Sequence, residues 1–204
     1  MNVKRRVVKV GGSLFTSERL WSRLDDWLRQ TDEYETILVV GGGAEVDALR
    51  EHDRDGRLDQ VAVHWRCIEL MRDNAHRARE QLPGLVWLRT LGELPPTAEP
   101  GRRWLLDPLT FLQVDDVQRS SQPLPASWDV TSDSIAARLA ELSGADELVL
   151  LKSTLPSAQT RAECVSTGFV DRFFAQAAAR LRCVRIVDFR STTFASRILP
   201  PSEA

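Results

Sequence analysis

Lysine is rare in this chain, and one lysine lies where phosphate chemistry would need it. Only three of the 27 basic residues are lysines, and Lys9 stands at the end of an apolar run, just before Gly11 and Gly12. Lysine is a compact charge on a flexible stem, which suits it to follow a moving anion, whereas arginine is a planar fork. Lys9 is therefore a candidate for phosphoryl chemistry. The alternative is an edge-strand lysine that faces solvent.

Two glycine-rich loops follow predicted strands and could bind the same phosphate. The loops are Gly11-Gly12-Ser13 and Gly41-Gly42-Gly43, and they hold five of the chain's 11 glycines. Glycine lets a backbone approach a ligand closely, and a glycine loop that opens a helix directs several N–H groups to one point. A tight turn would explain either loop alone. Two such loops on neighbouring strands favour phosphate binding.

A third loop, residues 127–134, carries the acidic group of this set. Thr131 or Ser132 can cap the helix that follows, which places Asp133 in a first turn where the helix dipole favours a carboxylate. By itself this pattern is an ordinary helix cap. Beside the two glycine loops, Asp133 becomes a candidate either to orient Lys9 or to hold a magnesium ion.

Short apolar runs alternate with amphipathic segments along the chain. Strands are predicted over residues 3–10, 36–40, 85–88, 104–106, 147–151 and 184–187, and helices over 20–28, 44–52, 58–82, 135–142 and 170–181. The tail after Arg197 is predicted to be irregular. This alternation is typical of a parallel sheet covered on both faces. We therefore expect an α/β fold, a three-layer αβα sandwich with a mainly parallel sheet, in a single domain over residues 1–204. Ligands of such folds bind at the carboxyl ends of the strands.

Composition and motifs exclude several classes of protein. The net charge of −2 gives no basic footprint for nucleic acid or for a membrane surface, and the apolar runs are too short to span a bilayer. The N-terminal residues lack the apolar stretch of a signal peptide. The three cysteines have no CxxC spacing, so we expect no disulfides, no structural zinc and a cytoplasmic location. Neither GxxxxGK[ST] nor GxGxxG is present, which excludes a P-loop nucleotidase and weighs against a dinucleotide site.

Four blocks, in order along the chain, resemble the amino acid kinase family, which includes acetylglutamate kinase, aspartokinase and bacterial uridylate kinase. The blocks are residues 8–14 (VKVGGSL), 39–43 (VVGGG), 131–137 (TSDSIAA) and 150–154 (LLKST). The short length, the run at residues 127–134, Val170-Asp171 and Arg190 are most similar to the small kinases of methanofuran biosynthesis. Those enzymes convert an aminomethylfuran-methyl phosphate to its diphosphate. Lys152-Ser153-Thr154 is more similar to uridylate kinase.

The resemblance implies a role for each block. Lys9 would bridge the β- and γ-phosphates of ATP, and Asp133 would orient the lysines. The residues implied on the ATP side are Gly11, Gly12, Ser13, Lys152, Ser153 and Thr154. The residues implied on the acceptor side are Gly41, Gly42, Gly43, Trp128 and Thr131.

The chain departs from the family pattern in two places. Many members have Thr-Asp-x-x-Gly where this chain continues from Thr154 into Leu155-Pro156, and many have a second lysine where it has Arg172. Arg172 or Lys152 would then supply the second catalytic cation. We expect an ATP- and Mg²⁺-dependent, homo-oligomeric kinase that adds a phosphoryl group to a small phosphomonoester in methanofuran-type cofactor synthesis. The alternatives are a uridylate or acidic amino acid kinase, and a nucleotide-binding storage or regulatory protein without turnover. The acceptor loops are expected over residues 51–59 and 118–129.

Overall fold

A seven-stranded sheet forms the middle layer of the protein. The computed structural model describes residues 3–200. The strands are β1 Lys4–Val10, β2 Tyr34–Val40, β3 Val86–Leu88, β4 Arg103–Leu106, β5 Glu147–Lys152, β6 Val184–Asp188 and β7 Ser196–Leu199. They lie in the order β3-β4-β2-β1-β5-β6-β7, and β6 and β7 are the antiparallel pair of an otherwise parallel sheet. The predicted α/β fold class is confirmed.

Helices cover both faces of this sheet. They are α1 Leu20–Arg29, α2 Gly43–His52, α3 Gln60–Gln81, α4 Pro108–Thr110, α5 Val117–Arg119, α6 Ser132–Leu142, α7 Arg161–Ser166 and α8 Phe174–Ala177, with a π-helical stretch, Phe111–Asp116, between α4 and α5. Side chains alternate along a strand, so Val7 and Val8 of β1 enter different cores. Val7 lies in the core formed with α6 and α8, and Val8 lies in the core formed with α1.

The order of the strands creates a crevice beside β1. Strands β2, β4 and β3 lie on one side of β1, and β5, β6 and β7 lie on the other. The loops that leave β1 and β5 therefore run in different directions. In open α/β sheets such a point of reversal is where ligands bind, outside the carboxyl ends of the strands. Lys9 and the first glycine loop lie at this end of β1.

Two sequence predictions are wrong in the C-terminal part of the chain. The predicted helix over residues 170–181 is reduced to α8, because the Asp171 carboxylate accepts the Phe173 N–H at 3.1 Å and holds a turn before it. The tail predicted to be irregular after Arg197 forms part of β7, where Ile198 pairs with Arg185 of β6. Residues 1–2 and 201–204 lie outside the described residues, and the end of the predicted irregular tail falls among them.

The helical segment at residues 108–119 was missed although its start carries a sequence signal. Asp107 accepts the N–H groups of Leu109 and Thr110 at 3.2 and 3.3 Å, and Pro108 occupies the first helical position. An acidic N-cap followed by proline is a common way for a helix to begin. In the π-helical stretch that follows, apolar residues do not recur at the usual α-helical spacing, so their pattern did not predict a helix.

Candidate active site

Two lysines extend from neighbouring strands toward the same side of the sheet. Lys9 of β1 pairs in register with Leu150 of β5, and Lys152 lies two residues further along β5. Because side chains alternate with a period of two, Lys9 and Lys152 share the face that also carries Val7 and Leu150. Lys9 is buried and Lys152 is partly buried. The parallel pairing thus places two cations side by side at the crevice.

Asp133 lies between these two lysines. Its Oδ1 is 2.8 Å from Lys9 Nζ, and its Oδ2 is 2.6 Å from Lys152 Nζ. Burial alone would raise the pKa of Asp133, but the charges of Lys152 and Lys9 outweigh it and lower that pKa to about 2. Burial lowers the pKa of Lys9, and Asp133 opposes that effect. Since each carboxylate oxygen faces an ammonium group, the geometry favours the orienting role of Asp133 over the alternative of a magnesium ligand.

Asp171 fixes the helix end that presents Asp133. Its Oδ2 accepts the backbone N–H groups of Thr131 and Ser134, each at 3.0 Å, and the Thr131 hydroxyl at 2.7 Å. The Ser134 hydroxyl donates to the other oxygen. Burial, and next the charge of Asp133, raise the pKa of Asp171. The Thr131 hydroxyl, predicted to face the acceptor, therefore also serves to anchor the start of α6.

The two glycine loops meet backbone to backbone. A Cβ on Gly12 would lie 2.6 Å from the Gly43 nitrogen, and a Cβ on Gly41 would lie 3.0 Å from the Gly12 nitrogen. Gly43 has φ +64°, a conformation that other residues rarely adopt. Side chains at these positions would separate the loops, so glycine is needed for their contact. The contact brings backbone N–H groups of both loops to one region.

Asn74 of α3 holds the second glycine loop from behind. It is buried, and its Nδ2 donates to the carbonyls of Gly41 and Gly42 at 3.1 and 2.9 Å. Sequence reasoning missed this residue because an asparagine inside an amphipathic helix has no local signal for such a role. Its two bonds fix the direction of the peptide groups in the loop.

A cleft of about 750 Å³ opens above these groups and brings together most of the predicted site. The predicted residues that line it are Lys9, Gly11, Gly12, Ser13, Gly42, Gly43, Trp128, Thr131, Asp133, Lys152 and Arg172. Gly41 lies beneath the cleft, where it contacts the Gly12 backbone. Ser153 lies beside it, with its Oγ 3.5 Å from Ser13 Oγ. Thr154 is exposed and donates to the adjacent Leu155 carbonyl, so the structure does not bring it into the cleft.

Arg172 and Lys152, the two candidates for the second cation, occupy different places. The Arg172 side chain is 84% exposed at the rim, and its Nη1 lies 3.4 Å from Asp129 Oδ1. Lys152 contacts the same carboxylate as Lys9, and its Nζ also donates to the Phe169 carbonyl at 3.1 Å. In this geometry Lys152, rather than Arg172, shares Asp133 with Lys9.

The opposite wall of the cleft joins the two predicted acceptor loops. Trp128 Nε1 donates to Asp53 Oδ2 at 2.8 Å, and the Arg50 guanidinium lies 5.2 Å from the centre of the Trp128 ring. The Leu58 N–H and then the Trp128 indole lower the pKa of Asp53. This wall therefore offers an aromatic face and a cation. Arg50 and Asp53 were not predicted individually, because their approach to Trp128 depends on the folded loops.

The described residues contain neither a cluster of metal ligands nor a helix suited to cross a membrane. Across residues 3–200, no three His, Cys, Asp or Glu side chains group as metal ligands. Over the same range, none of the helices combines the length and apolar character that a membrane crossing requires. His64 of α3 is buried, with its Nδ1 3.2 Å from the Ser127 carbonyl oxygen.

The first part of the chain matches a known protein family. The model of the amino acid kinase family matches residues 4–93, the segment that contains Lys9, both glycine loops and Asn74. A search of curated proteins finds no match to the chain. The family match covers the β1 to β3 part of the sheet, and the remainder of the site lies beyond it.

Solved kinase structures share the fold across nearly the whole chain. UMP kinase from Bacillus anthracis is 14% identical with a TM-score of 0.63, over 94% of this chain and 90% of that one. UMP kinase from Ureaplasma parvum is 10% identical with a TM-score of 0.66, over 98% and 97%. Aspartate kinase from Synechocystis is 11% identical with a TM-score of 0.62, over 98% of this chain and 40% of that one. These neighbours, each less than 25% identical to the chain, show that it shares their fold.

Proposed function

We propose that this protein is an ATP-dependent kinase that transfers the γ-phosphoryl group to a small phosphomonoester and forms a diphosphate. The observation that carries the proposal is Asp133 held between Lys9 and Lys152, at 2.8 and 2.6 Å, in a cleft bordered by two glycine loops. The three groups together carry one net positive charge. That charge lies where two anionic phosphates would have to approach each other.

The arrangement suits phosphoryl transfer because this reaction depends on positioning and charge neutralisation more than on covalent help from the protein. Lys9 is buried, so its charge acts with little screening by water. Asp133 keeps both ammonium groups directed into the cleft. A phosphate acceptor brings its own nucleophilic oxygen, so the site needs no general base. Asp133 is accordingly assigned to orientation, since both of its oxygens face lysines.

The two glycine loops and the two lysines suit the binding of a nucleoside triphosphate. The contact between Gly12 and Gly43 leaves space and N–H groups that a Cβ would obstruct, and Lys9 and Lys152 supply cations beside them. For Mg²⁺, the described residues offer no carboxylate cluster, so the ion would be held mainly by phosphate oxygens. When bound, Mg²⁺ would neutralise charge on the transferring phosphoryl group. The proposed roles of the protein are to bind, orient and exclude water.

The acceptor is proposed to carry a planar ring as well as a phosphate. Trp128 provides an aromatic face in the cleft, and Arg50 provides a guanidinium beside it. Aromatic rings stack on tryptophan, and arginine binds phosphate. The aminomethylfuran-methyl phosphate of methanofuran synthesis has both features and is our first candidate, on the resemblance in residues 127–134. UMP has both features as well and is the second, because the structural neighbours include UMP kinases.

The test combines a binding measurement with a turnover measurement. ATP affinity is measured by calorimetry. ADP release is then followed with Mg²⁺ and four candidate acceptors: the aminomethylfuran-methyl phosphate (the furan phosphate), UMP, aspartate and glutamate. Release with the furan phosphate supports the full proposal. Release with UMP alone supports the phosphomonoester class and contradicts the methanofuran role. Release with an amino acid alone overturns the phosphomonoester class.

ATP binding without release from any acceptor would favour the remaining alternative, a nucleotide-binding storage or regulatory protein. The Asp133→Ala variant provides the control for ATP binding at this site. The single-domain organisation and the homo-oligomeric state stay predictions, which light scattering and limited proteolysis of the purified protein would test.

A further inference from the structure

A second cavity, of about 620 Å³, lies behind the first glycine loop on the α1 side of the sheet. It is formed by the turn at Gly12–Thr16, the start of α1 and the connection from β6 to β7. Leu14, Leu20 and Phe189 supply its apolar lining. Its volume is in the range of sites for small organic molecules. None of the proposed phosphoryl-transfer roles uses this cavity.

The lining of this cavity is positively charged although the whole chain is not. Its charged residues are Arg19, Arg23, Arg190 and Asp26, an excess of two positive charges in a chain of net charge −2. The first turn of α1 has no side-chain cap, so its dipole adds to the positive potential. The cavity therefore favours a dianion with an apolar body.

The three arginines are held differently. Arg23 is part of the wall: its Nε donates to the Phe189 carbonyl at 3.0 Å, and its guanidinium lies 4.3 Å from the centre of the Phe194 ring. Within residues 3–200, the Arg19 side chain makes no hydrogen bond or ion pair. Arg19 therefore keeps all its donors for a ligand.

Arg190 connects this cavity with the candidate active site. Its Nη2 donates to the Ser13 carbonyl at 3.1 Å and to Thr16 Oγ1 at 3.2 Å. Ser13 lines the active-site cleft, whereas Arg190 lines the second cavity. A ligand that attracts the Arg190 guanidinium would remove a support of the first glycine loop.

We propose that this cavity is a regulatory site for an organic phosphate, whose binding draws Arg190 from Ser13 and weakens ATP binding. The proposal rests on the proposed kinase function for its consequence, and on the cavity for the site itself. A phosphate dianion is a stronger acceptor for a guanidinium than a neutral carbonyl is. Because coupling between two binding sites is reciprocal, ATP must weaken binding of the phosphate by the same factor.

Phenyl phosphate is the probe for this site, measured by calorimetry against four variants. Arg19→Ala removes a cavity donor without touching the active site, and Lys9→Ala removes the central cation of the active site. Arg190→Ala removes the connection. Arg182→Ala is the matched control, because Arg182 is exposed just before β6, at the other end of that strand.

We expect phenyl phosphate to bind the wild type and Lys9→Ala, and to bind Arg19→Ala about tenfold more weakly. Saturating phenyl phosphate should raise the Kd for ATP about fivefold in the wild type and Arg182→Ala. At the probe concentration that just saturates the wild type, the site in Arg19→Ala is only partly filled, so the Kd for ATP should rise by a smaller factor. Arg190→Ala should bind ATP weakly with or without the probe.

Three results would overturn the proposal. Binding that is lost in Lys9→Ala and intact in Arg19→Ala would mean that the probe occupies the active site alone. Binding at Arg19 with no change in ATP affinity would contradict the coupling through Arg190. If phenyl phosphate binds neither the wild type nor any of the variants, the proposed site does not exist. Failure of ATP itself to bind would instead contradict the proposed kinase function, while binding of the probe at Arg19 could still be measured.

Discussion

Buried ion pairs occur at both ends of the sheet, and they differ in how completely they are satisfied. At the amino end, Arg5 of β1 pairs with Glu35 of β2 and also donates to the carbonyls of Ser143 and Pro95, at 3.1 and 2.9 Å. The other oxygen of Glu35 accepts the Trp104 indole N–H at 3.2 Å. This network uses both oxygens of the acid and three nitrogens of the base. It leaves little capacity for a ligand.

The carboxyl end has the opposite character. Within the described part of the chain, the Lys9 ammonium contacts a single carboxylate, although it has three donors. The cleft lies beside it. The residue types follow this difference, because the planar arginine fork suits a closed network and the lysine point charge suits a mobile ligand. A buried pair with unused donors beside a cleft is therefore a better indicator of function than burial of charge alone.

Among changes at the carboxyl end of the sheet, removing Lys9 should have the largest effect on activity. Lys9→Ala should lower kcat about 10²- to 10³-fold with the acceptor that the panel identifies, since one preorganised charge at the phosphoryl group is lost. Lys9→Arg should also be poor, because the fork cannot replace the point charge. ADP release measures the effect, and circular dichroism checks the fold. Lys4→Ala, an exposed lysine at the start of the same strand, is the control. Full activity of Lys9→Ala would refute its role.

Breaking the Arg5–Glu35 network at the amino end of the sheet should lower the free energy of unfolding and leave the affinity for ATP unchanged. Glu35→Ala leaves Arg5 and the Trp104 indole N–H without their buried partner, so the free energy of unfolding should fall by about 3 kcal/mol or more. Urea denaturation measures this loss, and calorimetry should give an unchanged Kd for ATP. Glu33→Ala, two residues earlier and exposed, should change neither quantity. A loss of ATP affinity in Glu35→Ala without loss of stability would contradict the contrast between the two ends.

The pH dependence of stability should distinguish Asp133 from ordinary carboxylates. Its pKa is lowered from the usual 3.8 to about 2, so the folded state favours the ionised form. The resulting stabilisation is complete above about pH 4 and is lost as the pH falls toward the folded-state pKa. Asp133→Asn cannot titrate, so its stability deficit relative to the wild type should be largest above pH 4 and should shrink toward pH 2. Urea midpoints across this range measure it, and a deficit that is constant with pH would be inconsistent with the pair.

The sequence predicted the parts of this site that have local signals. Lys9 lies near the end of a predicted strand, the glycine loops follow predicted strands, and Asp133 precedes a predicted helix, so their places at the ends of these elements could be inferred. Asn74 contacts a loop more than 30 residues away, and Asp171 contacts Ser134 across 37 residues, so no local pattern reveals them. The wrong helix at residues 170–181 has a local cause, because the Asp171 carboxylate accepts the Phe173 N–H and holds a turn where the apolar pattern predicted a helix. The choice between Lys152 and Arg172 required the register of β1 and β5.

Replacing Asn74 should have the smallest and most specific effect, because Asn74 supports the second glycine loop without contacting Lys9 or Lys152. Asn74→Ala removes two hydrogen bonds to the second glycine loop, at 3.1 and 2.9 Å. We expect the free energy of unfolding to fall by about 1–2 kcal/mol, and the apparent affinity for the acceptor to fall more than that for ATP, since this loop is assigned to the acceptor side. The KM values for both substrates, measured beside urea denaturation, separate the two effects. Glu80→Ala, at an exposed position on the same helix, is the control. If Asn74→Ala weakens ATP and acceptor equally, the loop supports both phosphates, and the assignment of the two glycine loops to separate substrates is wrong.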